Sequence, residues 1–224
     1  MDAEPPLSFC YFQLWARVSP AVALAHSGLE WTGKFPAAWK ELKPTTPWGA
    51  LPVLETSVGV VGHELAILSH IAKKAGPAME GADEKEQLTS LQLMSESEDI
   101  YQALGRLKNG GTPEQGAAFW TGTDATKHNR QFGLAVFLTL LERFHGAAGA
   151  GEGRFTASGI SVGECKLWTT LHILILIKED VLAGYPSLQA FYDRFTSLPA
   201  TQSFITTGAA MGAPVKQYFK MTYE

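Results

Sequence analysis

A proline near the start of a short apolar run, Leu51-Pro52-Val53-Leu54, constrains this chain more than any other feature. The run is apolar and partly β-branched, the pattern of a buried strand. Proline lacks the N–H that a central strand needs, which confines it to the first residue of such a strand, just after a tight turn. A cis bond fits that place. A cis proline would turn the Leu51 backbone outward, so that its N–H and C=O could pair with the backbone of a bound peptide. Upstream, Trp39 and Lys43 stand four residues apart and share one face of a helical turn. One offers an indole donor and the other a cation. Together these groups suit a small, anionic, peptide-like ligand.

A chain of 224 residues can bury one large core or two small ones. Its 18 basic and 22 acidic residues leave a net charge of -4, which is no footprint for nucleic acid. Two cysteines, Cys10 and Cys165, make no disulfide framework and fit a reducing compartment. The acidic, proline-bearing start MDAEPPLS reads as neither a signal nor a transit peptide. The longest apolar run, Leu171 to Ile177, is far too short to span a bilayer.

The order of elements follows from local signals. Leu7 to Phe12 is aromatic-rich and weakly alternating, a first strand. Ser19 as N-cap, Pro20 at the first helical position and Gly28 past the end bracket a helix over Ala21 to Ser27. Leu29 to Trp31 begins a second strand, and Val58 to Gly62 reads as another. Glu64 to Ala75 carries Leu65, Ile67, Leu68 and Ile71 at helical spacing, and Gly76-Pro77 stops it. The order βαβ, loop, ββα predicts a thioredoxin-like domain over residues 1–77. Residues 77–86 read as a linker. Residues 86–224 then form an all-helical domain: a long helix over Gln87 to Lys108, a second within Glu114 to Phe144, and a buried one after Ser161. Ser161 and Glu164 make a capping box, with Ile160 and Cys165 at the staple positions. Gly146 to Gly153 lacks the ending of a phosphate loop and reads as a surface loop. The tail from residue 208 is too irregular to place.

The spacing W-x-x-x-K-P-x-x-P-aromatic-G-x-L-P-V-L-E from Trp39 to Glu55 resembles the glutathione-binding core of the cytosolic glutathione transferases, with Pro47 and Gly49 in register. It is most similar to the tyrosine-type, sigma-like class. The resemblance extends over most of residues 7–206 and includes the capping box and the helix after Tyr185-Pro186. It implies a thioredoxin-like domain followed by an all-helical domain. It also implies glutathione as co-substrate, bound through Trp39, Lys43, Leu51, Pro52, His63 and Glu64. A hydrophobic electrophile would be the second substrate.

That family needs the glutathione thiol ionised at neutral pH. A hydroxyl that donates to the sulfur lowers the thiol pKa. Tyr11-Phe12 matches the family tyrosine at the end of the first strand, and Arg17 stands where many members carry an arginine. Cys10 is a rival on the pattern of cysteine-type relatives, but an inert strand cysteine is the preferred reading. One pair departs from the family. His63-Glu64 stands where members have glutamine or glutamate followed by serine, whose hydroxyl and helix N-terminal amides hold the γ-glutamyl carboxylate. A glutamate there would repel that carboxylate unless it turns aside or His63 carries a proton. Ala50 likewise replaces a common glutamine.

Trp15, Tyr101 and Leu104 are candidate walls of a second-substrate pocket, although aromatics at such spacing more often belong to the core. Trp48 occupies the place of an aromatic that keys into the partner subunit in several classes, which implies a homodimer. Asp99 matches an acidic residue lent across the dimer to the γ-glutamyl amine, with Glu96 and Glu98 as rivals of register. The six histidines show no metal spacing. The expectation is a cytoplasmic transferase. A non-catalytic binding module and a glutathione-dependent isomerase stand as alternatives.

Overall fold

A computed structural model of the chain describes residues 6–108, 111–127, 132–151 and 153–207. Most of the acidic N-terminal stretch and the tail from residue 208 lie outside them. β1 (Leu7–Cys10), α1 (Ser19–Ser27) and β2 (Trp31–Lys34) make a parallel pair with a helical crossover, the connection that a parallel pair requires. α2 (Trp39–Leu42) and a 3₁₀ turn (Lys43–Thr45) lead to β3 (Val53–Thr56), β4 (Gly59–Gly62) and α3 (Glu64–Ala75). The sheet order is β2-β1-β3-β4, with β3 antiparallel to both β1 and β4. Phe9 and its cross-strand partner Leu54 pack in one core with Val22 and Leu24 of α1 and Ile67, Leu68 and Ile71 of α3.

Helices make up the rest: α4 (Pro77–Glu80), α5 (Glu84–Lys108), α6 (Pro113–Thr121), α7 (Leu134–Ala148), α8 (Val162–Ile177), α9 (Pro186–Ser197) and α10 (Pro199–Thr207). α8 is the buried axis and packs on α5, α1, α9 and α3. Its Leu167, Trp168, Leu171 and Leu174 are wholly enclosed. The capping box that opens it is formed: the Glu164 N–H donates to the Ser161 hydroxyl at 3.2 Å, and the Ser161 N–H donates to the Glu164 carboxylate at 3.0 Å. The same carboxylate accepts from the Phe155 N–H and the Thr156 hydroxyl, which ties the preceding loop to the helix start. This is the thioredoxin-like sheet followed by a helical bundle that the element order predicts.

Four expectations shift. The strand after the proline begins at Val53, so Pro52 stands ahead of the ladder and takes no N–H from it. Ser19 is the first residue of α1 and Val18 the N-cap, because the Ser19 hydroxyl is drawn to Glu64 instead of its own helix. The stretch read as a linker contains α4. The region of one predicted helix, Glu114 to Phe144, holds α6 and most of α7. A capping box of Thr112 with Gln115 opens α6.

Candidate functional site

The turn before β3 and the start of α3 face each other across a cleft of about 550 Å³. Leu51, Pro52, Trp48, His63, Arg17 and Glu98 line it, with Glu64 at its floor. The Leu51–Pro52 bond is cis, as the position of the proline predicts. His63 has φ 65° and is the one non-glycine residue in the left-handed region among the described residues. Such a conformation costs on the order of 1 kcal/mol or more and persists where the surroundings hold it. The His63 ring lies 5.3 Å from the Trp48 ring, centroid to centroid. Trp48 also covers Gly62 so closely that a Cβ there would meet its ring at 2.6 Å.

The floor of the cleft is a four-membered ion cluster. Glu64, 3% exposed, accepts from the Arg17 guanidinium at 2.9 Å, the Lys166 ammonium at 2.6 Å and the Ser19 hydroxyl at 2.5 Å. Glu98 of α5 accepts from both terminal nitrogens of Arg17 at 2.9 and 3.1 Å and pairs with Lys166 at 3.1 Å. The Arg17 guanidinium lies over the Tyr101 ring at 4.3 Å, a favourable site for a cation. Burial alone would raise the Glu98 pKa, but Lys166 and the Arg17 hydrogen bond outweigh it and hold it at about 2. Burial alone would lower the Arg17 pKa, and the Glu98 hydrogen bond with the Glu64 charge raises it instead. Charges withdrawn from water this far persist only when paired on several sides.

Arg17, Leu51, Pro52, His63 and Glu64 therefore come together in one cleft. Other predicted site residues stand elsewhere. Tyr11 is buried and lines a different cavity, of about 440 Å³, with Phe12, Trp31 and Phe35. Trp39 packs edge-on against Phe12, with ring centroids 5.5 Å apart, and is not among the residues lining the cleft. Lys43 is exposed, in the 3₁₀ turn, and does not line the cleft either. Asp99 lies in a groove between α5 and α7, whereas its rival Glu98 faces the cleft within its own chain.

Glu64 turns inward to Arg17, Ser19 and Lys166, so its carboxylate acts as part of the protein's own framework. Trp15, Tyr101 and Leu104 pack within the fold: Trp15 meets Trp168 and Phe204 edge-on and His172 at a tilt, Tyr101 lies beneath Arg17, and Leu104 is buried. The Cys10 thiol is buried, and that burial together with the Glu55 charge pushes its pKa up, which makes it a poor nucleophile.

Lys166 is the residue that sequence reasoning missed. It sits in a run otherwise read as apolar nearly all round, and it is 1% exposed. Lysine is almost never fully buried without a partner. A lysine at the second turn of a buried helix was therefore itself a signal that a carboxylate would meet it.

No family model matches the chain. It is 23% identical over 181 residues to glutathione S-transferase 4 of Caenorhabditis elegans, a match covering 75% of this chain and 79% of that protein. Among solved structures, a Pi-class glutathione S-transferase of Onchocerca volvulus superposes with a TM-score of 0.76 at 18% identity, covering 91% of this chain and 93% of that one. The prostaglandin synthase D of Nilaparvata lugens superposes with a TM-score of 0.71 at 19% identity, covering 90% and 98%. The chain is thus similar in sequence to glutathione S-transferases and shares the fold of solved members.

Proposed function

We propose that the chain is a glutathione transferase that ionises the thiol of glutathione and adds it to hydrophobic electrophiles. The observation that carries this reading is the cleft itself, with a cis Leu51–Pro52 bond at the head of β3 facing the start of α3. The Leu51 backbone would pair with the cysteinyl main chain. Trp39 and Lys43 would close over the glycyl end from the α2 side. The Tyr11 hydroxyl would donate to the sulfur, and the aromatic cavity it lines would take the electrophile. Arg17 would act through Glu98 and Glu64, holding the floor of the cleft in shape. A glutathione-dependent isomerase is the second reading, favoured by the likeness to the Nilaparvata lugens prostaglandin synthase. A cytoplasmic location goes with either. Retention on immobilised glutathione, followed by turnover of a generic aromatic halide, tests the transferase. Retention without turnover would move the non-catalytic binding module ahead.

Tyr11→Phe should lower turnover with little change in glutathione affinity. The expected loss is ~1–3 kcal/mol, the order of a hydrogen bond to a charge, or roughly five- to 150-fold in rate. Full activity in Tyr11→Phe together with none in Cys10→Ala would transfer the role to the cysteine.

We further propose a homodimer with Trp48 as its anchor. Trp48 is 67% exposed, an unusual state for so large an apolar ring. The α5–α7 groove, about 690 Å³ and flanked by the half-exposed Leu88 and Leu91, is apolar enough to seat it. Asp99 lies in that groove and would thereby come to the partner's side. Trp48→Ala should shift sedimentation toward monomer at micromolar concentration. A monomeric wild-type chain would remove the roles of both Trp48 and Asp99.

A further inference from the structure

The ion cluster decides what kind of polar group the cleft accepts. Arg17 is the one guanidinium or ammonium among the described residues that line the cleft, and it is shared between Glu64 and Glu98. Lys166, behind it, is divided between the same two carboxylates. Two cations thus meet two anions, and the cluster sums to zero. An incoming carboxylate would give up its hydration without finding an unpaired cation there, and it would approach two fixed carboxylates. Glu64 is also the first residue of α3, so the helix end that attracts anions already has one of its own. What remains on the cleft side is Glu98, bonded to Gln102 at 2.6 Å, and the aromatic side chains of Trp48 and His63 that line the cleft. A carboxylate beside aromatic side chains suits an ammonium group.

We propose that this cleft selects, among small thiol peptides, those whose far end carries an amine without an adjoining carboxylate. Glu64 is the specificity-determining residue, and Lys166 and Arg17 hold it in place. This rests on the thiol-peptide reading above and names the peptide class that it favours.

The test is a calorimetric titration of the full chain with two probes. One is glutathione. The other is γ-aminobutyryl-cysteinyl-glycine, which has the same amine, thiol and glycyl end but lacks the carboxylate of the γ-glutamyl residue. The wild-type chain should bind the second probe more tightly, by roughly tenfold, the scale set by like charges near a surface. Glu64→Ser releases Arg17 and Lys166 from one partner and should reverse the preference by tightening glutathione alone. Because Glu64→Ser also weakens a buried cluster, Glu64→Gln serves beside it; it keeps the shape and removes the charge, and should abolish the preference. Equal or tighter binding of glutathione by the wild-type chain would overturn this inference and leave the transferase reading standing. An unchanged preference in a folded Glu64→Gln would overturn the role of Glu64. Binding of neither probe by the folded wild-type chain would overturn the transferase reading and this inference together.

Discussion

Lys166→Met should destabilise the chain by about 3–5 kcal/mol, the usual cost of removing one member of a buried ion cluster. The substitution leaves Glu64, almost wholly enclosed, and Glu98 to share the single guanidinium of Arg17. Methionine fills the space of the lysine stem, so the loss is electrostatic rather than a cavity. Adding Glu64→Gln should recover much of it, since the surplus charge is then gone and the Ser19 hydroxyl can still find an oxygen. The two sites touch, so their effects should be far from additive. Urea unfolding of the wild-type, single and double variants measures this directly. A loss below about 1 kcal/mol for Lys166→Met would mean that the cluster carries no net stabilisation. α8 and α3 would then be held together by apolar packing alone.

Acid should unfold the chain in two stages. His172 lies against Trp168 and Trp15 with its Nδ1 2.7 Å from the Tyr192 hydroxyl, and burial lowers its pKa to about 4. His26, packed on Phe195 and bonded to Thr201, is lowered by burial to about 4 as well. Below the ordinary value of 6.5 the unfolded chain takes up protons that these rings refuse, so stability falls as pH drops from 6.5 toward 4. The loss approaches ~3 kcal/mol for His172 and is smaller for the less enclosed His26. The second stage belongs to carboxylates whose folded pKa is depressed. Glu98 is held at about 2 by Lys166 and Arg17 against its burial. Glu86 is held at about 2, also against its burial, by the Ser158 hydroxyl and the backbone N–H groups of Ala82, Ser158 and Ala157. Their contribution is complete above about 4.5 and disappears as pH falls through about 2. Thermal melts at pH 7, 5.5 and 4 should show the first stage, and His172→Gln should flatten much of it. A melting temperature that stays constant from pH 7 to pH 4 would contradict these assignments.

The sequence made some of this legible and concealed the rest for physical reasons. Pro52 announced the turn ahead of β3, because proline has few places in a sheet. The Ser161 capping box could be read to the residue, since its signal is a pair of local side chain–backbone bonds, and Glu64–Ala75 could be read from its apolar spacing and the Gly76-Pro77 stop. Ser19 looked like an N-cap by the same local rule and was not one, because a buried carboxylate 45 positions away competed for its hydroxyl. Glu64 was recognised as out of place, yet its partners Arg17 and Lys166 stand 47 and 102 positions away along the chain. A pairing of that kind leaves no trace in spacing or periodicity. The register of α5 was equally hidden. Asp99 and Glu98 are one residue apart, and only the packing of the helix shows that Glu98 faces the cleft.

The most direct measurement of the central claim is the ultraviolet absorbance of the glutathione thiolate in complex with the chain, followed against pH. If Tyr11 stabilises the anion, the bound thiol should titrate at least about one unit below free glutathione. That shift is worth roughly 1.4 kcal/mol, and it should be largely lost in Tyr11→Phe. A bound thiol that titrates as it does in solution, in a chain that retains glutathione, would contradict catalysis by thiolate formation at this site.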